Sequence, residues 1–66
     1  MTDLARNIKR FRLKMGYSQD SLSEITEIPQ SAISKYEKGL TEPKGAMLIA
    51  LADALNTTTD ALLGRV

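Results

Sequence analysis

The apolar residues at the start of the chain recur at the spacing of one helix face. They stand four, three and four residues apart, at Leu4, Ile8, Phe11 and Met15. Such spacing places the side chains on a single stripe of an α-helix. Gly16 follows, where a left-handed residue commonly ends a helix. The pattern predicts a first helix over residues 2–15 that buries this stripe.

A second, shorter helix is predicted directly after this glycine. Ser18 is a good N-cap, because its hydroxyl can accept a hydrogen bond from a free N–H group of the first turn. Leu22, together with Ile25 or Thr26, continues an apolar face. We therefore expect a helix over residues 19–26.

Ile28 and Pro29 interrupt the helical pattern and require a tight turn. Proline pushes the residue before it out of the α-helical region, and it is itself tolerated only in the first turn of a helix. Helical spacing resumes at Gln30 and ends at Gly39. This predicts a third helix over residues 30–38.

The remainder of the chain is predicted to form a loop and two more helices. Residues 40–45 contain proline and glycine but few core-forming side chains, which is typical of a loop. A fourth helix is indicated by an apolar stripe made of Met47, Leu48, Leu51, Ala52 and Leu55. Asn56 suits a left-handed residue at its end, and Thr58 can cap a last short helix. The sequence thus predicts an all-α fold of five helices, in a single domain over residues 1–66.

Composition weakens any enzymatic interpretation. The 66 residues include no cysteine and no histidine, so a thiolate nucleophile, the usual general base and the commonest metal ligand are missing. No carboxylate is placed beside a nucleophile, a metal site or a phosphate-binding loop. We therefore expect no catalytic residue, metal, cofactor or small-molecule ligand. The chain also lacks a signal peptide and the roughly 18 apolar residues of a membrane span, which predicts a cytoplasmic protein without a membrane partner.

The net charge of +1 says little, but the charges are unevenly distributed. Residues 1–14 carry five basic side chains and one acidic one, a local balance of +4. Residues 15–34 carry three acidic side chains and no basic one, a local balance of −3. A basic segment suits nucleic acid, but a solvated helix face gives the same pattern, so charge alone leaves both interpretations open.

The second and third predicted helices are joined by so short a turn that they cannot pack antiparallel. This is the geometry of a helix-turn-helix unit. Inward-facing positions hold Leu22, Ile28, Ile33 and Tyr36, and Ser23 is small where the two helices approach. A helical hairpin with four apolar anchors also occurs in proteins that never touch DNA. The motif therefore favours DNA binding and leaves a small helical protein-interaction module as the alternative.

Several separate motifs occur in order along nearly the whole chain. They are Ile8-Lys9-Arg10-Phe11-Arg12, Gly16-Tyr17-Ser18-Gln19, the segment from Gln30 to Gly39, Glu42-Pro43, and Leu51-Ala52-x-Ala-Leu55. In this order they resemble the Cro/CI type, or lambda-repressor-like, DNA-binding domains of phage repressors and bacterial XRE regulators. The resemblance implies a compact five-helix domain in which the second and third helices form the motif and the third enters the major groove.

Three positions depart from the pattern of that family. Glu27 stands where the family usually has a turn glycine, and a non-glycine residue in a left-handed conformation costs on the order of 1 kcal/mol. Pro29 stands where the family usually has a serine or threonine N-cap, so phosphate oxygens or the Gln30 side chain would have to substitute. Thr26 replaces a common aliphatic residue, which is expected to weaken the core.

The resemblance implies a role for two glutamines, Gln19 and Gln30. In similar repressors they hydrogen-bond each other while one holds a phosphate and the other reads adenine. A glutamine amide suits this role because it matches adenine N6 and N7 in bidentate fashion. Two solvated surface glutamines are the simpler alternative. Ser31, Ser34 and Lys35 are further candidates for base contacts, with a phosphate contact as the alternative for Lys35.

Other charged residues are expected to act independently of base sequence. The resemblance places Arg12 and Glu37 together as a structural ion pair between the first and third helices. Arg10, Lys38 and Lys44 are candidates for phosphate contacts, and each could equally be an ordinary solvated charge.

The sequence thus predicts a sequence-specific transcriptional regulator, expected to be a phage or bacterial repressor. It would bind a two-fold symmetric double-stranded DNA operator as a homodimer. Dimer contacts are expected from Leu62, Leu63 or Val66, although Leu62 or Leu63 must also close the core. An antitoxin or a restriction-modification control protein is the alternative within DNA binding.

Overall fold

A computed structural model describes residues 3–65, and within this range the chain folds into five α-helices with no β-strand. Their bounds are Asp3–Lys14 (α1), Gln19–Thr26 (α2), Gln30–Lys38 (α3), Ala46–Ala54 (α4) and Thr59–Leu63 (α5). α1 packs against α3 and α5, α2 packs against α3 and α4, and α4 packs against α5. The predicted number, order and class of the helices are confirmed.

One cluster of apolar side chains from all five helices forms the core. Its members, each at most 6% exposed, are Leu4, Ile8, Leu22, Ile28, Ile33, Leu51, Ala52, Leu55 and Leu62. Phe11 and Tyr36 are partly buried and pack against this cluster. The inward-facing positions predicted for α2, α3 and the turn between them are therefore confirmed.

Some apolar residues predicted to face the core lie on the surface instead. Met15 is 39% exposed, because α1 ends at Lys14, one residue before it. Met47 is 45% exposed; it lies in the first turn of α4, and helical side chains lean toward the N-terminus, so it projects past the helix end. On α2 the open choice is resolved, since Ile25 is 51% exposed while Thr26 is half-buried.

Side-chain caps and left-handed residues end the helices where the sequence predicts them. The Ser18 hydroxyl accepts a hydrogen bond from the N–H of Ser21 at 3.0 Å, at the start of α2. The Thr58 hydroxyl accepts one at the same distance in the first turn of α5. Gly16 and Asn56, after α1 and α4, have φ values of 79° and 54°. These local signals thus set four of the helix ends.

The turn between α2 and α3 contains two of the three departures from the family pattern. Glu27 adopts a left-handed conformation with φ of 62°, as expected for the position of a turn glycine. The Thr26 hydroxyl accepts a hydrogen bond from the N–H of Ile28 at 3.2 Å and donates one to the carbonyl oxygen of Leu22 at 2.8 Å. Ser23 donates to the carbonyl oxygen of Ile28 at 2.5 Å. Thr26 therefore supports the turn with polar contacts that an aliphatic residue could not make.

Candidate nucleic-acid interface

α3 has one side buried in the protein and one side open to solvent. Ile33 and Glu37 are its buried residues. The residues predicted to contact bases lie on the rest of the helix: Gln30, Ser31 and Lys35, which are exposed, and Ser34, which is half-buried. α3 thus presents amide, hydroxyl and ammonium groups to solvent, which are the groups that can pair with base edges.

The start of α3 has no side-chain cap, because Pro29 carries no hydrogen-bonding side chain. Its carbonyl oxygen accepts hydrogen bonds from the N–H groups of Ala32 and Ile33 at 2.9 and 3.1 Å. The Gln30 side chain does not act as the substitute cap that the sequence allowed, because its amide is directed to α2. The positive end of the α3 dipole is therefore left without a side-chain acceptor, which is favourable for an anion.

Gln19 and Gln30 are hydrogen-bonded across the start of the two helices. The amide nitrogen of Gln30 donates to the amide oxygen of Gln19 at 2.6 Å. Gln19 is half-buried and Gln30 is exposed. The structure thus brings together the two glutamines that the resemblance pairs, with the one on α3 facing solvent.

Arg12 and Glu37 form a buried ion pair between α1 and α3. Arg12 donates from Nε to Glu37 Oε2 at 2.7 Å and from Nη2 to Oε1 at 3.0 Å, and its Nη1 donates to the carbonyl oxygen of Tyr17 at 2.8 Å. The hydrogen bonds to Glu37 raise the pKa of the Arg12 guanidinium above its ordinary value, although burial acts to lower it. The ion pair lies where the resemblance places it.

A contact that the sequence analysis missed joins the ion pair to the glutamines. The amide nitrogen of Gln19 donates to Glu37 Oε1 at 3.2 Å. Arg12, Glu37, Gln19 and Gln30 therefore form one continuous set of hydrogen bonds, called the polar relay below. No spacing in the sequence signals this contact, because it depends on the angle at which α2 and α3 pack.

The basic residues proposed for phosphate contact lie at three separate places. Arg10 is on α1, Lys38 ends α3, and Lys44 precedes α4 directly after the buried Pro43. All three lysine and arginine side chains are exposed, and none has a carboxylate within ion-pair distance among residues 3–65. They are thus available to an anionic partner, and the structure does not otherwise distinguish them from solvated charges.

The last helix corrects one of the dimer residues expected from the sequence. Leu62 is completely buried in the core, so its side chain has no surface to offer a second copy of the chain, and this expectation is wrong. The backbone of α5 is instead tied to α1, where the Asn7 amide donates to the carbonyl oxygen of Leu62 at 3.1 Å. Leu63 is half-buried against the core, and Val66 lies outside the described residues.

Other types of site have little support in the part of the chain that the structure describes. Residues 3–65 bring together no group of three acidic, histidine or cysteine side chains able to hold a metal ion. No pocket indents the surface that these residues form. None of their helices has the length and apolar character needed to cross a bilayer.

Comparison with known proteins identifies similar regulators. The chain is 34% identical over 62 residues to the HTH-type transcriptional regulator ImmR of Bacillus subtilis strain 168, covering 94% of this chain and 49% of ImmR. It is 35% identical over 60 residues to the repressor protein C2 of Salmonella phage P22, covering 91% of this chain and 28% of C2. The chain therefore spans half or less of the length of these two relatives.

A solved structure shows the same fold. The P22 c2 repressor protein in complex with a synthetic operator superposes with a TM-score of 0.89 at 33% identity, covering 96% of each chain. A family model described as helix-turn-helix matches residues 8–62. This match, together with the geometry of α2, α3 and their turn, shows that the chain belongs to the Cro/CI type of the helix-turn-helix family.

Proposed function

We propose that this chain binds double-stranded DNA sequence-specifically and regulates transcription, with α3 lying in the major groove of an operator. The observation that carries the proposal is the hydrogen-bonded pair of Gln19 and Gln30 at the start of the polar, solvent-facing side of α3. The repressor and regulator names of the relatives, and the operator in the similar solved structure, support the same function.

Gln30 is the main base reader in this proposal. A glutamine amide has two N–H donors and one carbonyl oxygen. One N–H of Gln30 is used by Gln19, so one N–H and the oxygen are left to pair with adenine N7 and N6. Lys35 is exposed and can reach guanine O6 and N7, while the hydroxyls of Ser31 and Ser34 accept or donate to either base class.

Phosphate contacts would hold α3 in register on the duplex. The second N–H of the Gln19 amide and the exposed side chains of Arg10, Lys38 and Lys44 are the proposed donors. The uncapped N-terminus of α3 adds an attraction for a nearby phosphate oxygen. These contacts raise affinity for every sequence equally, because phosphates carry no sequence information.

A homodimer is proposed as the DNA-bound form. One module of this size contacts too few base pairs for high specificity, and dimers of this type place their half-sites about 34 Å apart, one turn of DNA. With Leu62 buried, the proposed contacts are limited to Leu63, Val66 and the exposed part of residues 56–59.

Selection of binding sites from random duplex DNA by the purified chain tests the proposal. The expected result is an enriched sequence with two-fold symmetry. The affinity for that sequence should also fall steeply with salt, because each neutralised phosphate releases a counterion with a slope of about 0.9 in log affinity against log salt. A protein-interaction module would enrich no sequence and show no salt-dependent affinity for DNA, and that result would reject the proposal.

A further inference from the structure

The buried ion pair contacts the glutamine pair directly, and this contact reaches the DNA-facing amide. We propose that Glu37 is a positioning residue for base recognition: through Gln19 it sets the orientation of the Gln30 amide, and thereby the base preference of α3. This inference rests on the proposed function, because it concerns the same DNA-reading surface.

Glu37 determines which end of the Gln19 amide faces it. Its side chain is 4% exposed and is held by two hydrogen bonds from Arg12, so its position is set by the core. A carboxylate only accepts hydrogen bonds. The Gln19 amide must therefore turn its nitrogen toward Glu37 Oε1, at 3.2 Å, rather than its oxygen.

The orientation of Gln19 in turn determines that of Gln30. With its nitrogen directed to Glu37, Gln19 presents its oxygen to Gln30, and an amide oxygen only accepts. Gln30 must then direct its nitrogen to Gln19, at the observed 2.6 Å. One N–H and the oxygen of Gln30 are left facing solvent in a defined arrangement.

Without Glu37, the two amides could exchange their ends together. Rotation of a glutamine amide by a half-turn interchanges groups of almost the same size, so only hydrogen bonds distinguish the two orientations. A flipped pair would keep its mutual hydrogen bond but present a different donor and acceptor pattern to a base. A reader held in one arrangement before binding loses less entropy on binding and discriminates better.

The test compares base preferences rather than overall affinity. Site selection with the wild-type chain and with Gln30→Ala identifies the base pair whose preference depends on Gln30. The same measurement is then made on the double variant Arg12→Met, Glu37→Met. This variant removes the acceptor of Gln19, and its fold is expected to survive because apolar residues of similar size can replace a complete buried ion pair.

We expect the double variant to lose preference at the Gln30 base pair alone. An amide–adenine pair discriminates by roughly tenfold or more, and we expect about threefold or less in the variant. Gln19→Met, which cuts the polar relay while leaving the ion pair intact, should show the same loss at the same base pair. Ile8→Val is the matched control for stability, because Ile8 is completely buried in the core and should leave every preference unchanged.

The outcomes separate this inference from the function on which it rests. Unchanged preference at the Gln30 base pair in a folded double variant overturns the positioning role and leaves DNA binding intact. An equal loss at all base pairs also overturns it, because that is the effect of a role in folding. A wild-type chain that selects no sequence rejects the proposed function itself.

A measurement without DNA gives a second readout. In the wild-type chain, the side-chain amide of Gln30 should show restricted motion by ¹⁵N relaxation, although the residue is exposed. The motion should increase in the double variant while the backbone amides of α3 stay rigid. Equal order of the Gln30 amide in both proteins would contradict the inference.

Discussion

Arg12 and Glu37 face each other across the contact of α1 and α3 with two hydrogen bonds, from Nε to Oε2 at 2.7 Å and from Nη2 to Oε1 at 3.0 Å. Their side chains are only 9% and 4% exposed. The fork of the guanidinium matches a carboxylate in this bidentate geometry. Neither charge is hydrated, so each depends on the other for its stability in the fold.

Replacing Glu37 with alanine should therefore destabilise the fold. Removal of one partner leaves the other charge buried, and we expect the free energy of unfolding to fall by about 3–5 kcal/mol. Thermal melting followed by circular dichroism measures the effect. The control is the double variant Arg12→Met, Glu37→Met, which should melt near the wild-type temperature or above it. A Glu37→Ala melting curve that overlays the wild-type curve would contradict the prediction.

Replacing Gln30 with alanine should relax preference at one base pair. The loss of a bidentate contact is expected to cost about 1–3 kcal/mol of discrimination there, with the other positions nearly unaffected. Competition binding against single-base variants of the selected site measures it. Asp53→Ala, at an exposed position on α4, is the control. A uniform change across all positions would argue against base reading by Gln30.

Removal of a phosphate-contacting lysine should weaken binding to every sequence alike. Lys38→Ala and Lys44→Ala are each expected to reduce the slope of log affinity against log salt by about 1, because one fewer counterion is released. Titrations at several salt concentrations measure the slope. Arg6→Ala is the matched control, since the guanidinium of Arg6 already lies 3.4 Å from a carboxylate oxygen of Asp3. A lysine variant with the wild-type slope is not a phosphate contact.

Glycine at position 27 should stabilise the protein. Glu27 has φ of 62°, where a residue with a Cβ is strained, so Glu27→Gly is expected to raise the free energy of unfolding by up to about 1 kcal/mol. Gly16→Ala is the reverse test, because Gly16 has φ of 79° and an added Cβ would meet no atom within 4 Å. It should lower stability by about the same amount. Urea unfolding of both variants measures the changes, and a shift of the same sign in both would contradict this account.

The Thr26 hydroxyl should contribute more than the methyl group beside it. Thr26→Val keeps the shape but leaves the N–H of Ile28, a residue 2% exposed, without its acceptor. We expect a loss of about 1–3 kcal/mol in the free energy of unfolding. Thr26→Ser keeps the hydroxyl and should lose less. If the valine variant is as stable as the wild type, the hydroxyl does not support the turn.

Local patterns carried most of the fold prediction. Apolar stripes gave the helices, and capping residues such as Ser18 and Thr58 gave their starts, because both signals act within a few residues of the chain. The same patterns overestimated burial at Met15 and Met47. Periodicity shows which face of a helix is apolar, but it does not show how far along the helix the core extends.

The sequence by itself determined the five helices, the turn at Glu27 and the polar residues of α3, since each follows from neighbouring residues and their backbone preferences. Only the tertiary structure decided that Leu62 is wholly buried and that Glu37 touches Gln19 as well as Arg12. Those contacts join residues far apart in the chain, so they depend on how the helices pack together, and that arrangement is a property of the whole core.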